Sequence, residues 1–170
     1  MKLDIAGVAR QDGASAEFAF SEQMPPFTFG GLDYAFAAPV RFEGKIVNQH
    51  DFLEMTGRLQ TVLQLHCARC LSPFEYPLDV EFEEEFARTE DPDHPDRRVF
   101  EGDVLLVDPL VEEYVLSEIP LEQLCTPACK GLCPVCGMNL NEGDCSCQAE
   151  NADRHPFSVL KSLLNEDEEV

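Results

Sequence analysis

From Val40 to Phe86 apolar and polar residues alternate with a period of two, the pattern of strands whose successive side chains point to opposite faces. Val40, Phe42, Gly44 and Ile46 form one set, and Leu53, Met55, Gly57, Leu59, Thr61, Leu63 and Leu65 a second; Phe74, Tyr76, Leu78, Val80, Phe82 and Phe86 form a third. The spacing predicts three antiparallel strands with one apolar, packed face. The other face is acidic, because Glu75, Asp79, Glu81, Glu83 and Glu85 fall on it in the third strand. Cys67 and Cys70 lie at the turn between the second and third strands.

Elsewhere the signals are shorter. Met1, Leu3 and Ile5 alternate as a strand would, while Ser21 to Gly31, with Pro25, Pro26 and the pair Gly30-Gly31, reads as a loop. Thr89 to Arg98 is polar, holds two prolines and lacks periodicity, so it reads as an exposed loop. Val99 to Leu106 is strand-like, broken by a turn at Gly102-Asp103. Asp108 is placed as a helix N-cap with Pro109 at the first helical position; Leu110, Val111, Tyr114, Val115 and Ile119 recur at helical spacing until Pro120. After the polar segment Gln148 to Arg154, a short amphipathic helix opens near Pro156 with Phe157, Leu160, Leu163 and Leu164 on one side, and Asn165 to Val170 forms a disordered acidic tail. The expected architecture is α+β: an antiparallel sheet, open or barrel-like, packed by one helix, with a small C-terminal cysteine-rich zinc module. The segments are 1–39 (N-terminal strand and loop), 40–124 (sheet plus helix), 125–147 (zinc module) and 148–170 (short helix and tail).

A chain of 170 residues that is 44% hydrophobic can bury one ordinary core and carry a small appendage that needs another source of stability. The start, Met1-Lys2-Leu3-Asp4, carries charge and no continuous apolar run, so no secretory signal is expected, and no stretch is long enough to cross a bilayer. A cytoplasmic protein without membrane contact is expected, and in a reducing compartment clustered cysteines read as metal ligands before disulfides. With 12 Lys+Arg against 33 Asp+Glu, the formal net charge is -21. Binding to a phosphate backbone comes from cations that displace counterions, so general RNA binding is disfavoured and a basic protein partner suits the charge.

Eight cysteines carry the chemistry. Zn²⁺ takes four thiolates in a closed tetrahedral site, so eight make two sites, and two filled sites would bring the net charge to about -25. Two partitions compete. In one, Cys133, Cys136, Cys145 and Cys147 share a metal while Cys67 and Cys70 meet Cys125 and Cys129; in the other, Cys125, Cys129, Cys133 and Cys136 form one site and the outer four the second. The first is preferred, because Pro134 and Gly137 suit a tight knuckle turn and the nearby Cys145/Cys147 pair closes the site at little loop entropy. It also gives the distant Cys67/Cys70 hairpin a purpose, pinning the C-terminal segment to the sheet. Arg69 and Lys130 lie inside the cysteine segments, where positive charge offsets thiolates or meets RNA or a partner. His66 is read as a bystander beside a full set of sulfurs, and His50, His94 and His155 have no ligand spacing. The rival is thiol redox or metal-handling work, but a redox Cys-x-x-Cys sits at a strand-to-helix junction, not at a hairpin tip. An iron-sulfur cluster also uses four thiolates and would colour the protein.

The run Cys67-Ala68-Arg69-Cys70-Leu71, then Ile119-Pro120-Leu121, Cys125, and Cys129-Lys130-Gly131-Leu132-Cys133-Pro134-Val135-Cys136-Gly137-Met138-Asn139-Leu140-Asn141 resembles the YceD family, the large ribosomal RNA subunit accumulation proteins. The resemblance extends from about Val40 through the expected helix at Leu160 to Leu164, and nothing carries over before about Phe27. It implies a part in synthesis, processing or stability of the large-subunit ribosomal RNA, with the RNA precursor or assembling particle as the setting. Some members resemble this chain only in the first cysteine set, which implies the preferred partition. The residues supply no nucleophile and base pair and no phosphate-cradling loop. The expected role is therefore a non-enzymatic factor acting through a basic ribosomal or processing protein. The alternative is direct RNA binding by a basic patch of Arg69, Lys130, Arg41, Lys45 and Arg58.

Overall fold

The computed structural model describes residues 1–147, so the expected helix near Pro156 and the acidic tail lie outside the described residues. In chain order the elements are β1 (Lys2–Asp4), α1 (Ala6–Ala9), β2 (Ser15–Glu22), β3 (Phe27–Phe29), β4 (Leu32–Phe36), β5 (Val40–Asn48), β6 (Leu53–His66), β7 (Pro73–Ala87), β8 (Arg98–Val99), β9 (Val104–Leu106) and α2 (Asp108–Glu118). The described residues form two compact units: Met1–Leu65 with Pro73–Gln123, and His66–Ser72 with the described residues from Leu124. No helix among the described residues is long and apolar enough to cross a membrane.

The first unit is mostly antiparallel sheet. The long strand β6 pairs on one edge with β5 and then β4, and on the other with β7; β2 extends the sheet beyond β5, and β8 joins β7 in parallel. The alternating sets bury one face: Val40, Phe42, Ile46, Met55, Leu59 and Leu63 are all fully enclosed. Gly44 and Gly57 interrupt these sets and pair directly opposite one another. A Cβ on Gly57 would stand 2.2 Å from the Glu43 carbonyl oxygen and 2.7 Å from the Phe82 ring, so the backbones approach too closely for any other residue. Above them Phe82 stacks on Phe42, centroids 4.5 Å apart, and Phe42 on Phe18 at 5.4 Å. The helix α2 contributes Leu110, Val111 and Val115 to this core. Arg98 ties it to the sheet by bonding Glu84 at 2.6 Å and Glu113 at 2.5 Å.

Several expectations are corrected. The sheet is not closed, so barrel-like closure does not occur. Among the described residues a helix stands beside α2 that no pattern announced, because the four residues of α1 form a single turn too short to show periodicity. Part of the expected loop at Ser21 to Gly31 is strand: Gly30 and Gly31, with φ of 60° and 80°, make the two-residue turn of the β3–β4 hairpin. Val107, not Asp108, is the N-cap of α2; the Asp108 carboxylate instead meets the Met1 amine.

Candidate metal centres

Both knuckles are built by one local turn. The Leu71 N–H donates to the Cys67 carbonyl at 2.9 Å, and the Gly137 N–H donates to the Cys133 carbonyl at 2.9 Å. Each turn closes on a residue with positive φ, 74° at Gly137 and 60° at Leu71. Such a turn aims backbone N–H groups at the first sulfur; Val135 N lies 3.5 Å from Cys133 Sγ. The segment after Cys129 then lies along the first knuckle. Leu132 N–H donates to the Arg69 carbonyl at 3.1 Å, and Gly131, at φ 76°, leaves room for that carbonyl.

These turns gather the sulfurs into two groups, Cys67, Cys70, Cys125 and Cys129, and Cys133, Cys136, Cys145 and Cys147, each with its sulfurs within 4.8 Å of one another. This grouping is the first of the two partitions weighed above. Cys67 and Cys129 Sγ are 3.7 Å apart, as are Cys70 and Cys125 Sγ. A tetrahedron with metal–sulfur bonds of about 2.3 Å has edges of about 3.8 Å. A disulfide would need about 2.05 Å, and all eight cysteines stand outside disulfides. The donor set and its spacing therefore fit a divalent metal ion in each group. Three thiols of the first group are buried, whereas in the second Cys133 is buried, Cys136 exposed, and Cys145 and Cys147 half-buried.

The electrostatics point the same way. The Cys125 N–H, helped by those of Cys70 and Arg69, holds the Cys67 thiol down to about 6 against the opposing effect of burial. The N–H groups of Cys136 and Val135 hold Cys133 down to about 6 as well. Cys70 is lowered by the Ser72 hydroxyl and N–H. By contrast, burial followed by the neighbouring thiols pushes Cys125 up to about 12, and the Cys136 thiol followed by burial pushes Cys147 up to about 11. Hydrogen bonds from the surrounding chain thus favour the thiolates of Cys67 and Cys70 in the first group and of Cys133 in the second, whereas those of Cys125 and Cys147 are resisted. Two like charges about 4 Å apart repel by about 4 kcal/mol at an effective dielectric near 20, so four thiolates need a cation among them. A metal ion held by four thiolates supplies a cross-link and no open position for substrate.

Arg69 Nη1 donates to the Cys129 carbonyl at 3.3 Å, and Lys130 is exposed, its N–H donating to Asn141 Oδ1 at 2.8 Å. His66 is exposed and belongs to neither sulfur group. Of the other residues of the expected basic patch, Arg58 is held by Asp79 through two bonds of 2.5 and 2.7 Å, and Lys45 pairs across strands with Glu17. Ser72, Asn139 and Asn141 surround the sulfurs but carry no ligand chemistry that spacing would reveal. Asn141 Nδ2 donates to Cys129 Sγ at 3.3 Å.

A family model described as Large ribosomal RNA subunit accumulation protein YceD matches residues 55–164, a span that holds all eight cysteines. The protein Rv2926c of Mycobacterium tuberculosis (strain ATCC 25618 / H37Rv) is 30% identical over 149 residues, covering 82% of this chain and 70% of that one. The chloroplastic Large ribosomal RNA subunit accumulation protein YCED homolog 1 of Arabidopsis thaliana is 27% identical, covering 80% of this chain and 53% of that one. YlbN of Bacillus subtilis (strain 168) is 26% identical over 99% of both chains. No solved structure matches.

Proposed function

Since the chain belongs to the YceD family, whose name ties it to accumulation of the large-subunit ribosomal RNA, we propose that it acts there as a non-enzymatic factor held in shape by two zinc ions. The observation that carries this reading is the pair of four-sulfur groups inside the family-matched span, spaced for closed tetrahedral sites. Cys67, Cys70, Cys125 and Cys129 would hold one ion, and Cys133, Cys136, Cys145 and Cys147 the other. The residues around them position and neutralise: N–H groups share the charge of Cys67 and Cys133, and Arg69 fixes the Cys129 carbonyl.

The partner is a basic ribosomal or processing protein on the assembling particle, with RNA reached through it. Supporting this, the net charge is -21, and Glu17, Glu43, Glu81 and Glu83 line an open groove on the outer face of the sheet. Of the cations beside them, Arg58 is paired with Asp79, and Lys45 stands opposite Glu17 in the strand register. Charge complementarity of this kind sets the rate and specificity of encounter. The chain's thiols suit a reducing compartment such as the cytoplasm.

Two measurements test the proposal together. In cells lacking the protein, the ratio of large- to small-subunit ribosomal RNA should fall and be restored by the wild type but not by Cys67→Ser/Cys70→Ser. The purified protein alone should bind large-subunit RNA fragments weakly at physiological salt. Tight binding with a steep salt dependence would replace the partner reading with direct RNA recognition.

A further inference from the structure

The loop between Cys136 and Cys145, eight residues long, belongs to the second sulfur group by its ends and touches the first by its middle. Asn141, within it, donates from Nδ2 to Cys129 Sγ at 3.3 Å and accepts at Oδ1 from the N–H of Lys130 at 2.8 Å. Its amide thus spans a ligand of the first group and the residue after it. Asn139 holds that amide in place: its Oδ1 accepts from Asn141 Nδ2 at 2.8 Å and from Asn141 N at 3.1 Å. Asn139 Nδ2 in turn donates to Glu142 at 2.8 Å and to the Ser72 hydroxyl, next but one to Cys70, at 3.5 Å. The backbone continues the link, with Leu140 N–H donating to the Gly131 carbonyl at 2.9 Å and Leu132 bridged to Asn139.

We infer that the two metal centres are coupled through Asn141, so that loading of the Cys133/Cys136/Cys145/Cys147 group tightens metal binding by the Cys67/Cys70/Cys125/Cys129 group. This rests on the reading that both groups bind metal. Asn141 is a positioning residue. An N–H donor to a ligand sulfur shares its negative charge and orients it, and loss of such an outer partner weakens metal affinity about 10- to 100-fold. Without metal at its two ends, the loop is free to sample many conformations, and presenting Asn141 to Cys129 would cost ordering entropy. Metal at the second group meets that cost beforehand. By linkage, metal in the first group tightens the second by the same factor.

The test is competition of the reduced full-length protein against a chromophoric zinc chelator, with site occupancy resolved by mass spectrometry of the cysteines left open to alkylation. Wild type should hold two zinc ions. Asn141→Asp keeps the acceptor for Lys130 but loses the donor, and Asn141→Ala removes both without adding charge. Each should weaken the first group about 10- to 100-fold. Cys145→Ser/Cys147→Ser should weaken the first group by a similar factor, and adding Asn141→Ala to it should cost nothing more. Two tight sites that ignore Asn141, or losses that multiply in the combined variant, would overturn the coupling while leaving the metal reading intact. Wild type that binds no zinc would overturn both. If the double cysteine variant does not fold, the two Asn141 variants still decide the question.

Discussion

Replacing Gly57 by alanine tests the core of the sheet, because the two effects of the substitution have opposite signs and the structure says which is larger. At an ordinary strand position, alanine is favoured over glycine by roughly 0.5–1 kcal/mol, through packing and lower unfolded-chain entropy. At Gly57 the added methyl would lie 2.2 Å from the Glu43 carbonyl oxygen, 2.7 Å from Phe82 Cζ and 2.9 Å from Gly44 Cα. The first and third are backbone atoms of the paired strand, so relief requires β5 and β6 to separate. Overpacking costs about 1–3 kcal/mol, and each ladder bond weakened adds about 1 kcal/mol. The net expectation for Gly57→Ala is a loss of about 2–4 kcal/mol, read as a lower urea midpoint at unchanged slope in far-ultraviolet circular dichroism. Gly7→Ala is the control, since Gly7 lies in α1 with nothing within 4 Å of the added atom. It should gain about 0.5–1 kcal/mol. A Gly57→Ala protein as stable as wild type, or one that moves in the same direction as Gly7→Ala, would refute the close-approach explanation.

Other outcomes follow from the same geometry. Cys133→Ser should cost one metal ion and leave the chain beyond Leu124 open to protease while the strand signal of the sheet persists; a structural zinc is worth on the order of 10 kcal/mol in small metal-folded peptides. Gly131→Ala should cost about 1–2 kcal/mol and speed zinc loss to chelator, because Gly131 has φ 76° and an added Cβ would stand 3.1 Å from the Arg69 carbonyl oxygen. Burial, and then the bond to Glu84 at 2.9 Å, push the Tyr114 phenol up to about 12. Its neutral form is thus favoured in the fold; that stability is complete below the ordinary tyrosine value and is lost as pH rises toward about 12. Tyr114→Phe should remove a late step from the 295 nm titration and lessen the alkaline loss of stability.

The legible parts were those set by local repetition. Strict alternation located β5, β6 and β7, whereas the close approach at Gly44 and Gly57 depends on the register that sets them opposite one another. Cysteine spacing grouped the sulfurs, because knuckle turns are local and their Pro and Gly residues appear in the sequence. Gly30-Gly31 between Phe27, Phe29 and Leu32, Tyr34 is a hairpin signal that the nearby prolines masked. The short parallel strand β8 depends on where β7 already lies, so no local pattern announces it. Asn141 lies within the family-like run, where its residue type and spacing reveal no role. An asparagine acquires one only when tertiary structure sets it against a sulfur, here the Sγ of Cys129.

Native mass spectrometry of the freshly purified, reduced protein, followed by extended X-ray absorption at the zinc edge, addresses the metal reading most directly. Two zinc ions per chain, each with four sulfur neighbours at about 2.3 Å, are expected. A mass lacking metal, a visible iron-sulfur absorption, or a mass lowered by the hydrogens lost to disulfides would contradict it.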